Sequence, residues 1–172
     1  MAVKDILQLG HPDLYKVSQP VTPDDLSTVA AVVTDLHDTM MDFRRRYNAG
    51  RAIAAPQISV PLRLIYMHAA QGPFDEPTVF INPRLEQKSA AMMTVWDDCM
   101  SFPDLFVKME RHQSCRIAYR DMNWAEQFMD LEGDLSELLQ HEYDHLDGIL
   151  AVARALDGQS FCLRSERETR FE

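Results

Sequence analysis

His141 and His145 stand four residues apart with Glu142 beside the first, in the run Gln140-His141-Glu142-Tyr143-Asp144-His145-Leu146-Asp147-Gly148. On a helix, residues at this spacing share a face, so both imidazoles can hold one metal ion next to a carboxylate able to move protons. The competing reading is a polar helix face with two hydrated histidines. A catalytic site of the zinc type needs three protein ligands and an open fourth position, so the third ligand must come from elsewhere in the chain. Two residues compete for that place. Glu166 would make the site that of a zincin-type peptidase, but it sits in a highly charged tail that must fold back on the core, and no histidine follows His145. Cys99 lies upstream in an apolar neighbourhood, preceded by Asp97 and Asp98, and a thiolate is a strong ligand for a divalent transition metal.

The element that must carry the histidines is predicted to be a helix. Leu135, Leu138, Leu139, Leu146 and Ile149 recur at roughly helical spacing, Asp134 and Glu137 can form a capping pair at its start, and Gly148 sits where it would stop. An amphipathic helix of about five turns is predicted nearer the N-terminus. It begins at Thr22-Pro23-Asp24-Asp25 and places Leu26, Val29, Val33, Leu36 and Met40 on one side. This helix runs out in Phe43-Arg44-Arg45-Arg46-Tyr47-Asn48-Ala49-Gly50, whose cations suit a solvated C-terminal end. Residues 3–21, punctuated by Gly10, Pro12 and Pro20, read as an extended lead-in draped over the core. The segment from Gly50 to Gln57 is made of small residues ending in a proline and an amide, which permits close backbone approach.

Strands are expected at Leu62 to Met67 and Val79 to Ile81, with Gln71-Gly72-Pro73 as the loop between them and Asn82-Pro83 closing the second. Met92 to Val95 leads into Trp96-Asp97-Asp98-Cys99-Met100-Ser101-Phe102-Pro103. Further strands are expected around Phe106 to Met109, Cys115 to Tyr119 and Glu126 to Leu131. Short strand pairs followed by a late helix predict an α+β fold with antiparallel β-sheets packed around a central HExxH-bearing helix. The 172 residues fit one domain, 1–172, with a polar tail from about residue 157 that is solvated or disordered and carries no function.

A net charge of −10 argues against sequence-independent nucleic acid binding and against an anionic membrane surface, because both partners repel it. No stretch approaches the ~18 apolar residues of a membrane span, and Met1-Ala2-Val3-Lys4-Asp5 lacks the apolar core of a secretory signal. The expectation is an intracellular, cytoplasmic protein. Cys99, Cys115 and Cys162 are too few and odd in number for a disulfide framework. Cys115, within Cys115-Arg116-Ile117-Ala118-Tyr119, fits a small buried hydrophobe.

Three separated stretches together resemble the peptide deformylases. Gly50 to Gln57 resembles that family's GxGxAAPQ segment, Asp97 to Ser101 its EGCLS segment, and Gln140 to His145 its QHExDH segment. Ile6 to Leu14 and Ser18-Gln19-Pro20-Val21 are also similar to the family's N-terminus, so the resemblance spans about residues 3–156. It implies that Cys99, His141 and His145 bind one divalent transition metal, ferrous iron first, with nickel or zinc as replacements. Water at the fourth position is then acidified toward hydroxide. Glu142 takes its proton and passes it to the departing amine, while the Gln57 side chain and the Met100 backbone N–H stabilise the oxyanion. Formate and a free amino terminus are the implied products of an N-formylated, nascent peptide, with the ribosome as a neighbour during translation. The peptide would lie extended between Gly50 to Ala52 and Asp97 to Met100, like an added strand. Asp144 either orients His141 or other groups behind the metal ligands, or lies at the surface.

Several groove positions depart from the family pattern. Ala52 replaces a glycine and narrows the groove, Arg51 replaces an apolar residue, and Asp97-Asp98 replaces Glu-Gly. Asp98 adds a carboxylate that would disfavour an anionic product or favour a cationic group. Asp134 and Glu137 precede His141 by seven and four residues, so they either share its face in the substrate pocket or cap the helix at the surface. These departures leave a different N-formyl substrate open, together with a metallopeptidase and a catalytically silent binder of peptide termini.

Overall fold

The computed structural model describes residues 3–69 and 76–170, and the expected Gln71-Gly72-Pro73 loop lies outside them. The lead-in wraps the core with little regular structure beyond a short 3₁₀ turn at Pro12–Tyr15. Its backbone is nevertheless tied down: Leu7 N–H donates to Gln57 O at 2.8 Å and Leu9 N–H to Ser101 O at 2.8 Å. Helix α1 spans Leu26–Tyr47. A 3₁₀ turn at Pro23–Asp25 precedes it, where Thr22 donates to the Asp25 carboxylate from its N–H and hydroxyl. Val29, Leu36, Met40 and Phe43 are buried on one side of α1. Each buried side chain of this size contributes about 1.5–3 kcal/mol relative to exposure.

Among the described residues eight strands form two antiparallel sheets, one of five strands and one of three. The five-stranded sheet has the order β1 (Ala52–Ala54), β2 (Leu64–Met67), β3 (Thr78–Glu86), β6 (Ser114–Arg120), β7 (Glu126–Glu132). The three-stranded sheet is β4 (Met92–Cys99), β5 (Phe102–His112), β8 (Phe161–Leu163). Thus β1 and β4 are both edge strands. Helix α2, Asp134–Leu146, engages both sheets. Leu138, Leu139 and Leu146 pack with Ala54, Ile65, Phe80 and Ile117 of the larger sheet. The Gln140 side chain both accepts from His112 N–H and donates to His112 O on β5, at 3.1 and 2.9 Å.

Four expectations are corrected. Asn82-Pro83 does not close a strand, since β3 continues to Glu86 through a register shift between Ile81 and Arg84. Asn82 tolerates the left-handed φ of 49° and ties its amide to Val21 N–H and O, each at 2.8 Å, so the pair forms a bulge rather than a stop. Asp134 does not cap α2: Gly133 is the N-cap, no side chain caps it, and Asp134 is the first helical residue. The tail does not stay in solvent, because Phe161–Leu163 pairs with β5 and buries Cys162. Three alternating residues are too short a pattern to read as a strand beforehand. Finally, Arg44 is not a free solvated cation: it donates to Gly50 O from Nε at 2.9 Å and from Nη2 at 2.7 Å, and also to His68 O. No helix among the described residues is long and apolar enough to cross a membrane.

Candidate active site

Three residues from two elements meet at one buried point. Cys99 ends β4, while His141 and His145 come from successive turns of α2. Cys99 Sγ lies 3.2 Å from His145 Nε2, which lies 3.2 Å from His141 Nε2. The three atoms are all within 4.8 Å of one another, and all three residues are buried. One sulfur and two imidazole nitrogens facing each other at this distance suit a divalent transition metal. Glu166, the rival third ligand, is exposed in the 3₁₀ turn Arg164–Glu166 and outside this cluster.

A buried chain of charge stands behind His141. Its Nδ1 is 2.9 Å from the Asp97 carboxylate, which accepts from Arg111 Nη2 at 3.0 Å. Arg111 also donates to Asp144 at 2.5 Å, and Arg154 donates to both oxygens of Asp144 at 2.6 Å each. Asp97 lines the cavity, yet its carboxylate is engaged with His141 and Arg111, so it orients the histidine. Asp144 is buried rather than superficial, and it meets the two arginines instead of His141. Arg111 carried no motif. Its signal was parity: Val107, Met109 and Arg111 alternate inward along β5, which put a lone cation among core positions.

Electrostatics follow from this arrangement. Burial alone would lower His141, but the charges of Asp97 and then Cys99 outweigh it and hold the imidazole well above its usual value. Burial and the neighbouring His141 push His145 well below it. Burial opposes ionisation of Asp97, yet His141 and Arg111 draw it down to about 2. The place where His141 attracts a proton is therefore a place where positive charge is stabilised, which a metal cation also supplies. Glu142 is buried beside these groups with Oε2 unpartnered, and burial, opposed by His141, raises it to about 7.

A cavity of about 220 Å³ opens onto Glu142 and His141 between the edge strands β1 and β4. Gln57 is fixed in its wall: Oε1 accepts from Ala54 N–H at 2.9 Å, which leaves Nε2 3.6 Å from Cys99 Sγ and 3.2 Å from Ser101 Oγ. Met100 follows Cys99 in the turn to β5 and lines the same cavity. Gly50 bends into β1 with φ 109°, and a Cβ there would come within 3.4 Å of Phe43. Because His68 N–H donates to Arg51 O, strand alternation turns the backbone groups of Ala52 away from β2 and toward the cavity.

The charged departures also meet here. Arg51 reaches from the start of β1 to α2, where it pairs with Asp134 and stands 3.8 Å from Glu137 Oε2. Asp98 is paired at 2.9 Å with Arg164, a tail residue that stacks on Phe106 and lines the cavity. Burial and then Asp97, against His141 and Arg51, raise Glu137 to about 8. Of the thirteen residues anticipated for the site, twelve line this cavity, and His145 lies behind it, 1% exposed. Arg111, Arg154 and Arg164 were not anticipated.

The polypeptide deformylase family model matches residues 3–160. Peptide deformylase 1 of Prochlorococcus marinus is 36% identical, across 98% of this chain and 89% of its own. The peptide deformylase of Afipia carboxidovorans is 35% identical, across 88% and 86%. Among solved structures, the peptide deformylase of Thermotoga maritima superposes with a TM-score of 0.81 at 28% identity, covering 91% of this chain and all of that one. A Met-Ala-Ser-bound class I type b peptide deformylase from Acinetobacter baumannii gives 0.79 at 27% identity, covering 89% and 98%. The chain therefore belongs to the peptide deformylase family.

Proposed function

We propose that this chain is one catalytic domain, residues 1–172, that hydrolyses the N-formyl group at the amino terminus of peptides and releases formate. The observation that carries the reading is the convergence of Cys99 Sγ, His141 Nε2 and His145 Nε2 beside the buried Glu142, whose Oε2 is unpartnered. The thiolate and imidazoles suit ferrous iron, nickel or zinc. Such a cation, held by these three residues, supplies Lewis acidity and brings the pKa of water toward neutrality.

The rest of the chemistry belongs to the chain. Glu142 takes the proton of the attacking water and delivers it to the amine nitrogen as the carbon–nitrogen bond breaks. A carboxyl raised to about 7 can do both at neutral pH. Gln57 Nε2 and the Met100 N–H donate to the oxygen of the formyl carbon as charge grows on it, and the Gln57–Ala54 hydrogen bond holds that amide in place beforehand. Asp97 keeps Nε2 of His141 turned toward the site by holding Nδ1. The peptide backbone adds to the open edges of β1 and β4, through Ala52 on one side and the Asp97 to Met100 segment on the other. The structural likeness to an Acinetobacter deformylase bound to Met-Ala-Ser supports this placement of the peptide. A thiolate ligand favours a reducing, cytoplasmic setting, where formylated chains emerge from the ribosome.

Metal analysis separates this reading from the peptidase. Cys99→Ser is expected to lose most of its bound metal and its formate release, while Glu166→Ala keeps both. The reverse pattern would overturn the assignment.

A further inference from the structure

We propose that Glu137 makes this site select substrates whose side chain next to the formylated nitrogen is cationic. The inference rests on the deformylase reading above and concerns which first residue the site accepts.

The cavity holds five carboxyl groups, of which three are already paired and a fourth serves the reaction. Asp97 is bonded to His141 and Arg111, Asp98 to Arg164, and Asp134 to Arg51, while Glu142 faces the reaction centre. Glu137 is different. Its side chain is 15% exposed, it lines the cavity one helical turn before His141, and its cationic neighbour among the described residues, Arg51 Nη2, stands 3.8 Å away. That distance is beyond hydrogen-bond reach, and the same guanidinium donates to Asp134 through Nη1. A mostly buried carboxyl without a donor is costly to ionise, and an ammonium brought by the substrate to that position favours the carboxylate and removes the cost. Among the described residues Arg51 is the cation within ion-pair distance of both Asp134 and Glu137, so the two share one guanidinium, which leaves room for a second positive charge. The wall also offers Phe43, Met100 and Leu138, on which a methylene stem can lie with its charged head at Glu137.

Norleucine has the lysine stem without the ammonium, so formyl-Lys-Ala-Ser against formyl-norleucyl-Ala-Ser isolates the charge. The wild-type, nickel-loaded enzyme is expected to favour the lysyl peptide in kcat/KM by about tenfold or more. Glu137→Leu should reverse the order, and Glu137→Gln, which keeps the shape, should bring the ratio toward one. Equal rates, a norleucyl preference in the wild type, or a ratio unchanged in both variants would overturn the proposal. Calorimetric binding of the products Lys-Ala-Ser and norleucyl-Ala-Ser distinguishes the two levels of failure. If no peptide is deformylated, the catalytic reading fails. The subsite then stands on tighter binding of the lysyl product that is lost in Glu137→Gln, and falls if the two products bind alike.

Discussion

Glu142 and Asp97 both interact with His141 and are shifted in opposite directions. Burial holds Glu142 up at about 7, so only above that range is the carboxylate the dominant form. The reaction needs the carboxylate first, so kcat/KM is expected to rise as pH increases toward 7 and then flatten; a cation beside it moves this limb lower, never higher. A rate that falls steadily between about pH 6 and 8 would contradict this role. Asp97 is drawn down from 3.8 to about 2 by His141 and Arg111 against its burial. A depressed carboxylate contributes stability above its unfolded value and loses it as pH falls through the folded one. The metal-free protein should therefore lose about 2 kcal/mol between pH 4 and 2 from this group, and urea midpoints for Asp97→Asn should lack that part of the pH dependence. The same variant is expected to bind metal about 10–100-fold more weakly, measured by competition with a chromogenic chelator. The ligands and Glu142 were legible because their types and spacing are local on one helix. Asp97 was placed near the site but read as a groove residue, since nothing in its neighbours said which way β4 would turn it.

Helix α2 depends on what ends it and on what lies beneath it. Gly148 has φ 70°, and a Cβ there would lie 2.6 Å from the carbonyl carbon and oxygen of Tyr15. Gly148→Ala is expected to cost about 1–3 kcal/mol, read as a lower urea midpoint, because the lead-in and the helix end cannot separate without losing Ser18 N–H to Leu146 O. Beneath the helix, Arg111 is 3% exposed between Asp97 and Asp144. Arg111→Ala strands two buried carboxylates and is expected to cost about 3–5 kcal/mol; a loss under 1 kcal/mol in thermal or urea unfolding would contradict the buried network. Elements with long periodic patterns were readable, α1 and α2 above all, and β2, β6 and β7 were placed to within two residues, whereas β3 to β5 were read short and β1 was not read as a strand. What escaped was long-range: Asn82-Pro83 as a bulge, Asp134 diverted from capping to Arg51, and β8 returning to β5. Each depends on a partner distant in sequence, which local preference does not encode.

At the scale of the molecule, two sheets present their edges β1 and β4 to a common cavity, and α2 places His141 in its wall with His145 behind it. The chain's charge of −10 makes the Arg51, Arg111, Arg154 and Arg164 cations beside this cavity stand out, and each is paired with a carboxylate. The α+β class was readable from the order of the strands and the late helix; that β1 and β4 would face each other was not, because sheet order is a tertiary property. The central claim is that this cavity cleaves an N-formyl amide with Glu142 as its proton carrier. The most direct measurement is formate and free-amine release from formyl peptides by wild type and Glu142→Gln, each nickel-loaded to the same metal content. The account predicts formate and amine in equal amounts from the wild type and a rate lower by on the order of 10²–10⁴-fold in the variant. Formate release undiminished in Glu142→Gln, or absent from the metal-loaded wild type with every formyl peptide tried, would contradict it.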